Sequence, residues 1–205
     1  MGQDPSYGLA SVYLALTMVA QIAIMTNYRR RYVPGGTYFF TVRLQDPRSD
    51  LLIRRIDVLR DATKLCKKRW PFDIVGAVIL PGKLHMIWTL PNGDAGFSKR
   101  WRLIKSTFSR HVPAPDYIAP NHQRRGEKGI WQRRFWEHVI RDDEDFALHM
   151  HLILAAPVHA GLVKRPTEWP HSSLQHRKMD LDPSPPKTTA LAPSGQDRKA
   201  AVSAN

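Results

Sequence analysis

The segment LPGKLHMIW, Leu80 to Trp88, reads as a strand entered through a Pro81-Gly82 turn. On a strand alternate side chains share a face, so Lys83, His85 and Ile87 project one way and Leu84, Met86 and Trp88 the other. Two histidines at 83 and 85 would hold one metal ion between them. Lys83 cannot take that part, because a protonated ammonium donates hydrogen bonds and has no lone pair to offer. A lone strand histidine is ordinarily structural, so His85 acquires meaning only from what surrounds it.

The charge balance points to a polyanionic partner. The 205 residues carry 31 Lys and Arg against 18 Asp and Glu, a formal charge of +13, and nucleic acid is the usual counterpart of such an excess. A basic ribosome-associated or membrane-surface protein would share this composition. The cations fall in groups: Arg29, Arg30 and Arg31; Lys99, Arg100, Arg102 and Lys105; and Arg124, Arg125, Lys128, Arg133 and Arg134. Each could neutralise a phosphate. Aromatic residues interleave with them. Trp101 recurs at helical spacing with Phe97 and Ile104 and reads as core, whereas Trp131 or Trp136 could stack on an unpaired base. Cys66 is the only cysteine, so there is no internal disulfide and no cysteine-rich zinc site, which fits a reducing cytoplasm.

These residues need elements to position them. TYFFTVRL, behind the Gly35-Gly36 turn, is dense in β-branched and aromatic residues and marks a first strand. Ser49 and Asp50 can cap a helix with Leu52, Ile56, Leu59, Thr63 and Cys66 on one face. FDIVGAVIL and LHMIWTL form a strand hairpin. FSKRWRLIKSTFSRHV is an amphipathic helix, followed by a flexible basic loop to about Gly129, a short strand in WQRRFWEHVI, and a helix from near Asp142 to Pro157. The order β α β β α β α predicts an α+β fold, an antiparallel sheet with helices packed on it.

The ends read differently. Gly8 to Met25 is an apolar run long enough to cross a bilayer, with Arg29 to Arg31 behind it. The favoured reading makes Met25 the start, residues 1–24 an upstream extension and a membrane role unlooked for; the rival is an anchor. Residues 25–176 form the domain. Residues 177–205, rich in Pro, Ser, Lys and Ala, are expected to be disordered.

Four stretches, NYRRRYVPGGTYFFTV, LPGKLHMIWTLPNGDAGFSKRWRLIKSTFSR, RGEKGIWQRRFWEHVIRDDEDFALH and PVHAGLVKRPTEWPHSSL, cover most of residues 27–174. Together they resemble the REP-associated branch of the single-tyrosine HUH transposases. The resemblance implies a ferredoxin-like, RRM-like HUH nuclease fold. It also implies a His-hydrophobic-His pair on the central strand for Mg²⁺ or Mn²⁺, and a helix reading Tyr-Ile-His-x-Asn-Pro-Val. There the metal polarises a phosphate of single-stranded DNA, the tyrosine attacks it, and a polar residue one turn later completes the metal site. The DNA would be a REP-type palindrome with a single-stranded flank, and no obligate protein partner is implied.

Here the metal pair falls on Lys83 and His85, of which only His85 matches. LILAAPV puts Leu152 at the nucleophile position and Ala156 at the polar ligand position. The expectation is a DNA-binding copy, Lys83 among its contacts, with metal binding weak or absent. Two imitations stand apart. YIAPN offers Tyr117 as a substitute nucleophile, though it lies between Pro115 and Pro120. HMH offers His149 and His151, but residues two apart on a helix diverge by about 200° and cannot chelate together; one is expected buried and one exposed. Residual cleavage through Tyr117 or a His85-bound metal, and a decaying reading frame, are the rival readings.

Overall fold

The structure, a computed structural model, is described for residues 30–173; the apolar run and the Pro/Ser-rich tail lie outside them. The chain divides into two compact units, 1–32 and 33–205, and every element below belongs to the second. Strand β1 (Thr37–Arg43) is followed by helices α1 (Leu51–Arg54) and α2 (Ile56–Arg69), strands β2 (Asp73–Ile79) and β3 (Lys83–Thr89), and helix α3 (Phe97–Arg110). The short helix α4 (Pro120–Gln123), strand β4 (Trp136–Val139), helix α5 (Asp143–His159) and a 3₁₀ turn (Pro166–Glu168) complete it. The sheet order is β2-β3-β1-β4 and every pairing is antiparallel. This is the α+β arrangement expected from the sequence.

Both faces of the two central strands are covered, which is why β1 is buried along nearly its whole length. Tyr38, Phe40, Val42, Leu84, Met86 and Trp88 form the larger core with Leu59 and Cys66 of α2 and Phe97, Trp101, Ile104 and Phe108 of α3. Phe39, Val78 and Ile87 meet Phe146 and Ile153 of α5 in a smaller one. Two glycines let neighbours close on the sheet. A Cβ on Gly76 would come within 2.7 Å of the Met150 sulfur, and one on Gly82 would lie 2.7 Å from the Pro47 carbonyl oxygen. Gly76 thus sets the distance of α5 from β2, and Gly82 seats the turn that feeds Lys83 into β3.

Three local expectations are corrected. The helix expected from Ser49 and Asp50 up to the Trp70-Pro71 break is interrupted at Arg55, whose guanidinium donates to the His111 carbonyl. The basic loop before Gly129 contains α4, where His122 is buried and its Nδ1 lies 2.7 Å from Glu127 Oε2. The last strand is shorter than WQRRFWEHVI: only Trp136–Val139 joins the sheet, with Trp131 making an isolated bridge to Leu44. Among the described residues no helix is long and apolar enough to cross a membrane.

Candidate nucleic-acid interface

The register of β1 on β3 decides what surrounds His85. Thr41 pairs with His85 and Arg43 with Lys83, and directly opposed residues share a face. Thr41 Oγ1 lies 2.9 Å from His85 Nδ1, and the Phe39 ring stacks on the imidazole at 5.5 Å. Only 6% of His85 is exposed. Burial, then the charges of Lys83 and Arg43, hold its pKa down at about 3, so the ring is neutral at physiological pH. Lys83, half-buried, has its own pKa lowered by desolvation and by Arg43. One imidazole, with one nitrogen already engaged, and two cations make a donor set that does not fit a divalent metal ion.

Helix α5 places 152 and 156 one turn apart, as the spacing requires. The side chains are wrong for the chemistry of such a turn: Leu152 is half-buried hydrocarbon and Ala156 packs against the smaller core. Neither carries a lone pair. Tyr117 is 76% exposed and stands outside any helix, with Asn121 inside α4.

One cluster was not legible beforehand. Asp142 caps α5 by accepting from the Asp145 backbone N–H at 2.8 Å, and the Asp145 carboxylate is then ringed by donors. His138 Nε2 lies 2.8 Å from Oδ2, the Arg141 backbone N–H donates to Oδ2 at 3.0 Å, and its Nε does so at 3.2 Å. His149 Nδ1 lies 2.7 Å from the Asp145 carbonyl and 3.0 Å from Oδ1. His138, Asp145 and His149 present ligand atoms within 4.8 Å of one another, a set that could hold a metal ion. The rings of His138 and His149 nevertheless stack at 4.5 Å, 16° from parallel, so their in-plane lone pairs run side by side rather than converging. With Arg141 on the same carboxylate, the hydrogen bonds alone account for the cluster, which ties the end of β4 to the start of α5. His149 is buried and His151 exposed, as the helical divergence requires. The available signal was the i, i+4 spacing of Asp145 and His149; the approach of His138 came only with the fold.

The basic residues divide between surface and structure. Lys99, Arg102, Arg124, Arg125, Arg133 and Arg134 are exposed. Lys105 instead ties α3 to the segment before β4 by donating to the Gln132 and Arg133 carbonyls at 2.6 and 3.3 Å. Lys128 donates to the Val112 carbonyl at 2.8 Å. Arg100 corrects the expectation of a phosphate contact: it is fully buried, with Nη2 donating to Asp94 and to the Pro71 carbonyl, both at 2.7 Å. Trp131 is corrected likewise. Its ring is 6% exposed and meets Phe108 edge-on at 5.2 Å, leaving no face for a base. Trp136 is half-buried, its ring parallel to that of His138. Arg30 and Arg31 belong to the first unit, and Arg29 lies outside the described residues.

The antiparallel α+β sheet carries His85 on a central strand and positions 152 and 156 one turn apart on the last long helix. No protein-family model matches the chain. It is 44% identical over 153 residues to the REP-associated tyrosine transposase of Escherichia coli K12, covering 75% of this chain and 84% of the relative. A Haemophilus influenzae relative bearing the same family name is 41% identical over 159 residues, or 77% and 90% of the two chains. A REP-associated tyrosine transposase solved bound to a REP hairpin superposes with a TM-score of 0.64 at 43% identity, over 74% of this chain and 84% of that one. The chain belongs to the REP-associated tyrosine transposase family and has its α+β HUH fold.

Proposed function

We propose that this chain binds REP-type hairpin DNA with a single-stranded flank and does not carry out the strand transfer of its family. The binding half is supported by the hairpin in the related structure and by the exposed cations of α3, the turn after α4 and the segment before β4. The impairment rests on one observation: Lys83, Leu152 and Ala156 stand where the chemistry needs a lone pair, a hydroxyl and a polar ligand. Mg²⁺ or Mn²⁺, used by the family, would be held weakly or not at all by His85 alone. The buried single thiol of Cys66 suits a cytoplasmic location.

The test is trapping on hairpin DNA with a single-stranded flank. The native chain should form no phosphotyrosine adduct. The combined change Lys83→His, Leu152→Tyr and Ala156→Asn should restore measurable cleavage with Mg²⁺ or Mn²⁺, because strand and helix still set the geometry. Each single change should stay inactive, since nucleophile and metal work as a unit. An adduct formed by the native chain would overturn the reading, and its loss on Tyr117→Phe would make that exposed tyrosine the nucleophile.

A further inference from the structure

The rung beside Thr41–His85 pairs two cations, Arg43 on β1 with Lys83 on β3. The hydrogen bond between Thr41 and His85 fixes which face they share. Like charges directly opposed across antiparallel strands are destabilising, and a rung of this kind ordinarily recruits an acid. Neither cation has a carboxylate partner among the described residues, and the two acids that follow β1 are taken by other arginines, Asp46 by Arg48 and Asp50 by Arg54. The remaining structural cations behave differently: Lys105, Lys128 and Arg100 all donate to carbonyls or to Asp94. The Arg43–Lys83 rung is a concentration of positive charge without a carboxylate partner among the described residues, and Lys83 stands where the resemblance puts the first of the family's two strand histidines.

We propose that Arg43 and Lys83 form a metal-independent phosphate clamp, in which both donate to the non-bridging oxygens of one DNA phosphodiester at the position the family gives to a divalent ion. The proposal rests on the DNA-binding reading above and adds to it the way this site holds the backbone. Arg43 supplies a planar fork and Lys83 a point charge, while His85, neutral and bonded to Thr41, lends no charge. Such a clamp positions the strand and carries no sequence preference of its own. It also explains how an abandoned metal site remains useful: the cation that removed a ligand replaced the charge the metal supplied.

The experiment uses the full chain and a fluorescent hairpin oligonucleotide with a single-stranded flank, titrated in EDTA between about 50 and 200 mM salt. Because the two cations share one phosphate, the double variant Arg43→Gln, Lys83→Gln should flatten the salt dependence by about one counterion, so that the native chain loses about threefold more affinity across that range than the double variant, with each single variant in between. Lys83→Arg should keep the native slope. A neutral methylphosphonate at one position of the flank should weaken the native chain and leave the double variant unchanged. Native binding with an unaltered slope in the double Gln variant overturns the clamp alone, as does native binding that EDTA weakens. No binding by the native chain at low salt overturns the DNA-binding reading and the clamp with it.

Discussion

The two faces of β1 and β3 are made from the same fourteen positions and do opposite work. Tyr38, Phe40, Val42, Leu84, Met86 and Trp88 are sealed under α2 and α3, where Trp88 stacks on Trp101 at 4.2 Å. The alternate residues Phe39, Thr41, Arg43, Lys83, His85 and Ile87 turn from hydrocarbon at one end to unmatched charge at the other. Arg100 and the Arg43–Lys83 rung sharpen the contrast. In the larger core the Arg100 guanidinium is bonded through Nε and Nη2 to two carbonyls and Asp94, with Nη1 alone unpartnered. Asp94 is held down at about pKa 2, chiefly by that guanidinium. On the other face two cations are left facing each other. A charge placed for stability arrives with its partner, whereas a charge placed for a ligand waits for one.

The largest effects should come from the sealed face. Trp88→Ala removes a fully buried ring and should cost about 3–5 kcal/mol in urea unfolding. Arg100→Met should cost about 3 kcal/mol, because it strands the Trp70 and Pro71 carbonyls and Asp94 together. Equal midpoints for Arg100→Met and the native chain would show that this cation is as dispensable as a surface one and would dissolve the comparison.

How far the sequence foretells this contrast depends on which signal each residue carries. Strand alternation in TYFFTVRL and LHMIWTL separates the two faces before any fold is known, and the order of elements yields the antiparallel α+β sheet. The resemblance of LILAAPV to the family's helix motif locates Leu152 and Ala156, and the helical spacing sets them one turn apart. For Arg100 and Trp131, charge and proximity to basic residues suggest exposure, while their burial depends on the Trp70–Pro71 bend and on Phe108, both remote along the chain. The His138–Asp145–His149 cluster joins β4 to α5, and no local period announces such a meeting. The break at Arg55 falls within continuous helical periodicity, so no local pattern marks it.

A smaller effect should appear on lowering the pH. Folded His85 stays neutral down to about pH 3, whereas the unfolded chain takes up that proton near the ordinary value of 6.5. Between those values the unfolded state binds the extra proton, so stability is lost as pH falls, by up to about 1.4 kcal/mol per pH unit for this one group. Burial lowers the pKa of His149 as well, adding loss of the same sign. Asp94 has a depressed pKa and contributes only below its ordinary value of 3.8. Melting temperatures from pH 7.5 to 4.5 should therefore fall less steeply in His85→Gln, whose amide can still bond Thr41, than in the native chain. Parallel slopes would remove His85 from the account.

The smallest effect has the most informative sign. Without DNA, Lys83→Gln or Arg43→Gln should leave the fold intact and raise stability by about 0.5 kcal/mol, because each relieves the like-charge rung without opening a cavity. For a domain of this size that is a rise of about 1–2 °C in melting temperature. A functional site commonly holds residues that the fold alone would be better without, and here the strain would be relieved by the ligand instead of by mutation. Bound hairpin DNA should then reverse the order: the native chain, with its clamp filled, should melt above both variants when the oligonucleotide is in excess, by mass action. Variants that melt below the native chain both with and without DNA would make the rung a structural feature, and the distinction between the two faces would lose its clearest mark.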